Sequence, residues 1–140
     1  MDRCGDGSIL AVFSGTRPDN LGVKDGRLAA CKPTPNCVSS QADPADQEHY
    51  IEPIAYSDTM QELRRAVESM TRATVIREEG NYLYAEYKSA LLGYVDDVEL
   101  WLDDKTRLVH VRSASRLGRS DFGVNRKRIE ELRILIGSRR

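Results

Sequence analysis

The residues of this chain best suited to chemistry concentrate between Arg112 and Arg128, in the stretch RSASRLGRSDFGVNRKR. Six bases (Arg112, Arg116, Arg119, Arg126, Lys127 and Arg128) face one acid, Asp121. Three of them fall where a helix should begin, the positive end of its macrodipole, so they need an anionic partner. Arginine forks match carboxylate and phosphate geometry, and the free amides of a helix start add to such a site. An anion site is therefore expected from Arg112, Ser113, Ser115, Arg116, Asn125 and Arg126. Its ligand would be an anionic small molecule, a lipid headgroup or a protein partner. The plainer account is internal pairing of Asp97 with Arg112 and of Asp121 with the bases at the helix start. Such surface pairs are worth about 0–1 kcal/mol each.

A second reading is a small hydrolase using Ser113 or Ser115. Either serine needs a base, and His49 and His110 are the only imidazoles. Ser115 lies on the opposite strand face from His110 by alternation, and no nucleophile-elbow pattern surrounds either serine. Asp97 and Glu99 share a face at i, i+2, a spacing that can hold a cation or do acid–base work. Opposing Arg112 and His110 already account for that pair. No catalytic residue is assigned, and the reading leans toward a non-enzymatic binding or structural module. No Walker or Rossmann glycine pattern is present, so no cofactor is implied. Cys31 and Cys37 flank Lys-Pro-Thr-Pro-Asn and can close as a disulfide, or remain two structural thiols. CxxC spacing is absent, and a metal centre would need more ligands, so none is expected. Cys4 reads as an exposed free thiol.

Composition bounds these readings. At 140 residues, with 31% charged, the chain is expected to be one globular domain rather than a disordered one. A net charge of −1 supplies no field for nucleic acid, which is excluded as a partner. No stretch approaches the roughly 20 apolar residues of a membrane span, and Ile9 to Phe13 is too short for a signal-peptide core. As written the chain reads as cytosolic. An upstream apolar segment would make it periplasmic or membrane-associated.

The elements that must position these residues can be read in order. Residues 1–48 carry recurrent Gly and Pro with sparse apolar residues (Leu21, Val23, Leu28, Val38), the pattern of an irregular arm pinned at a few points. Residues 49–140 form the core. His49 to Tyr56 reads as an edge strand confined there by Pro53. Asp58 and Gln61 suit a capping box for an amphipathic helix over 59–72. Gly80-Asn81 signals a hairpin between 74–79 and 82–89, pairing Ile76 with Ala85 and Glu78 with Leu83. A second hairpin joins 94–103 to 107–115 through Asp104-Lys105. It pairs Leu100 with Val109, Val98 with Val111, Trp101 with Leu108, Glu99 with His110, and Asp97 with Arg112. A final helix begins near Gly123 or Val124, buries Ile129, Leu132 and Ile136, and closes at Gly137.

The result is an α+β fold, a four- or five-stranded antiparallel sheet with two helices on one face and an extended N-terminal arm. The helix-facing side should carry Ile76, Leu83, Ala85, Tyr87, Val98, Leu100, Val109 and Val111. The other face carries Tyr82, Tyr84, Glu86, Lys88, Asp97, Glu99, Trp101, His110 and Arg112. It is either a ligand platform or the surface that the arm covers.

PNCVSSQ at 35–41, HYIEP at 49–53, YLYAEYKS at 82–89, DDVELWLD at 96–103 and RSASRLGRSDFGVNRKRIEELR at 112–133 together resemble the bacterial and plant family called Domain of Unknown Function 1499. GTRPDNLGV at 15–23 is similar to that family's lead-in, so the likeness runs over residues 15–136. It implies no particular activity, substrate or cofactor. It implies that the arm belongs to the domain, and that a hydrophobic anchor can precede the lead-in.

Overall fold

The structure, a computed structural model, describes residues 13–90 and 92–137. Cys4 lies outside the described residues. Among the described residues, six strands and two helices follow one another: β1 (Cys37–Ser39), β2 (Ile54–Ala55), α1 (Met60–Glu68), β3 (Ala73–Glu79), β4 (Tyr82–Lys88), β5 (Val95–Asp103), β6 (Leu108–Ser115) and α2 (Val124–Gly137). One antiparallel sheet contains all six strands. β3, β4, β5 and β6 form a meander, and β1 and β2 share the outer edge of β6. The sheet is thus one or two strands larger than expected. β1 lies inside the stretch read as irregular, and only Ile54–Ala55 of the expected 49–56 strand pairs with β6. Three- and two-residue strands are too short to show an alternating pattern.

α1 begins one residue later than its sequence suggests. Thr59 is the N-cap, its hydroxyl accepting from the Glu62 amide at 3.1 Å, while Asp58 turns its carboxylate to the Thr59 amide. Thr59 therefore takes the N-cap place assigned to Asp58. The helix also stops at Glu68, short of 72, in a turn that leads to Arg72 at φ +57. Leu63, Ala66 and Val67 are its buried face. In α2 the buried stripe is Asn125, Ile129, Leu132 and Ile136, and Gly137 is the last helical residue.

The hairpin β3–β4 pairs Glu78 with Leu83, as the turn residues dictate. A bulge between Val75 and Arg77 then puts Val75, not Ile76, opposite Ala85. Ile76 is consequently 37% exposed, and Val75 packs on the core in its place. A bulge adds one residue to one strand and shifts all pairing beyond it. In β5–β6 the pairing differs by two positions from the expected register. Asp103 meets Leu108, so Leu100 faces Val111, Val98 faces Ser113, Trp101 faces His110, Glu99 faces Arg112 and Asp97 faces Ala114. The connection is four residues, closed by Arg107 at φ +56 whose amide bonds the Asp103 carbonyl, rather than the two-residue turn. Side chains alternate with a period of two, so this shift changes partners and leaves each residue on its expected face.

One face of the sheet (Leu83, Ala85, Tyr87, Val98, Leu100, Val109, Val111) forms a single apolar cluster with Leu63, Ala66 and Val67 of α1 and Ile129, Leu132 and Ile136 of α2. The opposite face carries a smaller cluster. There Leu21, Val23 and Leu28 of the arm pack with Tyr82, Tyr84 and Trp101. Cys31 and Cys37 are joined in a disulfide, which ties the arm to β1.

Candidate functional site

The expected anion-site residues occupy three separate environments. Arg112 points to the arm side of the sheet and Ser113 and Ser115 to the helix side, because successive strand residues alternate. On the arm side Arg116 is the hub. Its guanidinium donates to both Asp97 oxygens (2.9 and 2.8 Å), to Glu86 and to the Ser14 carbonyl. Arg17 of the arm donates to the same Glu86 at 2.8 Å. Burial pushes the Glu86 carboxyl up, but the hydrogen bonds from Arg17 and Arg116 outweigh it and hold it below its ordinary value. The Asp97 hydrogen bond, chiefly, raises the Arg116 guanidinium. Tyr84 donates to Asp97 and Tyr82 to Glu99. Both phenols are raised, mainly by burial.

Glu99 is fully buried and accepts from the Gly22 amide of the arm at 2.7 Å. Gly22 sits at φ +106, where a side chain would strain the backbone, so glycine permits this approach. Arg112 lies 4.0 Å from Glu99 and donates to the Ala30 carbonyl, and burial lowers its guanidinium. Glu99 Oε1 and Arg112 Nε make no hydrogen bond among the described residues. The arm covers Tyr82, Tyr84, Glu99 and Arg112 on this face, whose charges face one another, while Lys88 stays exposed.

On the helix side a second network fixes the start of α2. The Ser113 hydroxyl donates to Asn125 Oδ1, and Asn125 Nδ2 donates to Ser115 Oγ, Asp121 Oδ2 and the Asn36 carbonyl. Arg128 binds Asn125 Oδ1, Ser113 Oγ and Asp96 Oδ2. A serine that donates to an amide oxygen has no base there to take its proton. His110 meets a different serine, Ser40, at 3.1 Å and stacks on Trp101; burial lowers its pKa. Arg126 stands apart, reaching the Gln47 and Glu48 carbonyls from a half-buried position.

The described surface has a groove of about 890 Å³ between the end of α1, the end of β4 and the outer side of α2. Arg72, Lys88, Lys127 and Arg128 line it with Asp96 and Glu131, and its apolar walls include Met70, Tyr87, Tyr94, Val124 and Ile134. Asp96 is already held by Arg128 at 2.8 Å, and the Arg128 guanidinium also lies over the Tyr87 ring. The Lys88 and Lys127 ammonium groups have no ion-pair partner among the described residues. Ile134 is 72% exposed, off the buried stripe of its helix. Lys127 and Arg128 belong to the basic stretch read from the sequence, and Lys88, expected on the opposite face of the sheet, is the last residue of β4 and lines the groove; Arg72, Tyr94 and Ile134 were not singled out. The one available signal was Ile134, an apolar residue out of phase with Ile129, Leu132 and Ile136. Their meeting depends on how three distant segments pack.

No curated protein sequence and no solved structure matches the chain. A family match covers residues 27–136, beginning after the lead-in at 15–23, and so includes the sheet, both helices and the groove. On that match the chain belongs to the family described as protein of unknown function (DUF1499).

Proposed function

We propose that this protein is a non-enzymatic binding module whose groove takes a single-chain amphiphile with an anionic headgroup. The observation that carries this reading is the pairing of unneutralised lysines with apolar walls in one groove. Four bases face two acids there, and one of those acids is spent on Arg128. About 890 Å³ lies within the ~300–1,000 Å³ typical of small-ligand sites, which join apolar walls to a few placed polar groups. The headgroup belongs near Lys88 and Lys127, and the chain along Tyr94, Val124 and Ile134. Arg112 and Arg116 are less suited to an external anion, because carboxylates and the arm already engage them.

The test is calorimetric titration of the full chain with decyl phosphate below its aggregation concentration. Saturable binding is expected, and Lys88→Glu with Lys127→Glu should weaken it about tenfold or more. Ile134→Asp, at an exposed position, should weaken it without lowering the melting temperature. Absence of saturable binding by the parent, or equal binding by all variants, contradicts the reading.

A further inference from the structure

Phe122 is the most exposed large apolar side chain among the described residues, at 95%. It is also held at φ +54, a backbone region that a bulky side chain rarely enters. Exposure and strain are separate costs, and the fold removes neither. It enforces both: Asp121 accepts from the Gly123 and Asn125 amides and from the Asn125 side chain, which locks the turn 121–125. Gly123 continues the left-handed conformation at φ +80. A strained residue fixed by its neighbours and aimed at solvent is the kind of outlier found where a surface meets a partner.

The surroundings of Phe122 indicate which partner. Val124, two residues on, is 46% exposed and lines the groove beside Ile134 and Tyr94. Arg119 and Lys127 flank the tip in sequence and have no ion-pair partner among the described residues. The nearest acid in sequence, Asp121, is turned inward to the helix amides. A protruding aromatic between bases suits an interface of anionic headgroups over acyl chains, where the ring enters the apolar layer and the bases meet the surface charge. A second copy suits it poorly. A two-fold contact would set the same bases against themselves.

We infer that the Phe122 loop tip docks this protein on anionic lipid bilayers. Docking goes beyond the groove reading and does not require it, since Phe122 is not among the groove-lining residues. Docking would place the groove mouth near the membrane surface, where single-chain anionic amphiphiles reside.

The test is cosedimentation of the full chain with vesicles of phosphatidylglycerol and phosphatidylcholine in equal parts, and with phosphatidylcholine alone. The chain is expected to pellet with the anionic vesicles only, and high salt should release it. Phe122→Ala should lower the partition coefficient about tenfold, and Arg119→Glu should lower it further, with melting temperatures not reduced. The decyl phosphate titration of Phe122→Ala should match that of the parent, which separates failure of docking from failure of the groove. No pelleting with anionic vesicles, parent-like pelleting of Phe122→Ala, or a Phe122-dependent dimer in solution overturns the inference.

Discussion

At the scale of single residues, the basic excess between Arg112 and Arg128 divides among the arm face, the start of α2 and the groove. Arg112 and Arg116 serve the arm face, Arg128 serves the start of α2, and Lys127 faces the groove. The faces of Arg112 and its neighbours could be read from alternation, but not Arg112's partner. Glu99 replaces Asp97 because the hairpin loop is two residues longer than its sequence suggests. Arg116 is the most consequential of these side chains, since its loss leaves Asp97 buried without its ion-pair partner. Arg116→Ala should cost about 3–5 kcal/mol in denaturant unfolding, and Arg116→Lys should recover only part because an ammonium lacks the fork. His49 gives a pH signature. Its Nδ1 meets Asp46 at 2.8 Å and its Nε2 meets the Thr34 carbonyl at 2.9 Å, with Glu48 at 3.5 Å. Both close partners are acceptors, so only the imidazolium satisfies both. The Thr34 carbonyl, then Asp46 and Glu48, raise the His49 pKa against burial, and the His49 hydrogen bond lowers that of Asp46. A raised folded pKa adds stability that is complete below the unfolded value of about 6.5 and is lost as pH rises through the folded value. Asp46 adds stability that is lost as pH falls through its depressed value. Unfolding free energy should therefore decline above about pH 6.5 in the parent, and His49→Gln should remove that slope.

At the scale of elements, strong local signals were legible and short or displaced ones were not. Gly80-Asn81 specified its turn and the adjacent Glu78–Leu83 pair. The bulge at Ile76 and the bridging strand β1 depend on tertiary pairing, which leaves no period in a three-residue segment. Two adjacent N-cap candidates competed at α1, and the structure uses Thr59, with Asp58 accepting from the Thr59 amide. Thr59→Ala should cost about 1 kcal/mol, and Asp58→Ala less, by thermal unfolding. The disulfide between Cys31 and Cys37 anchors the arm at the sheet edge, where Asn36 reaches Gly118 and β1 pairs β6. Replacing both cysteines by serine should lower stability by about 2–4 kcal/mol. It should also speed amide exchange at Gly22 and Leu28, which the arm bonds to Glu99 and Gln41.

At the scale of the whole molecule, the α+β architecture was legible because both hairpins and both amphipathic helices bury alternating or helical apolar sets in one cluster. The groove was not, because Arg72, Lys88, Tyr94 and Ile134 come from segments that meet only in the fold. We propose that arm and sheet unfold as one cooperative unit. Trp101 reports on the arm, packing with Leu21 and Val23, so its fluorescence should change at the same denaturant concentration as helical ellipticity. An earlier fluorescence transition would mean that the arm releases independently. The measurement that bears most directly on the groove is backbone amide shift mapping by NMR during titration with decyl phosphate. Shifts that saturate together at Arg72, Lys88, Tyr94, Lys127 and Ile134 are the expected result. Shifts confined to Arg112, Arg116 and the arm, or none that saturate, would contradict it.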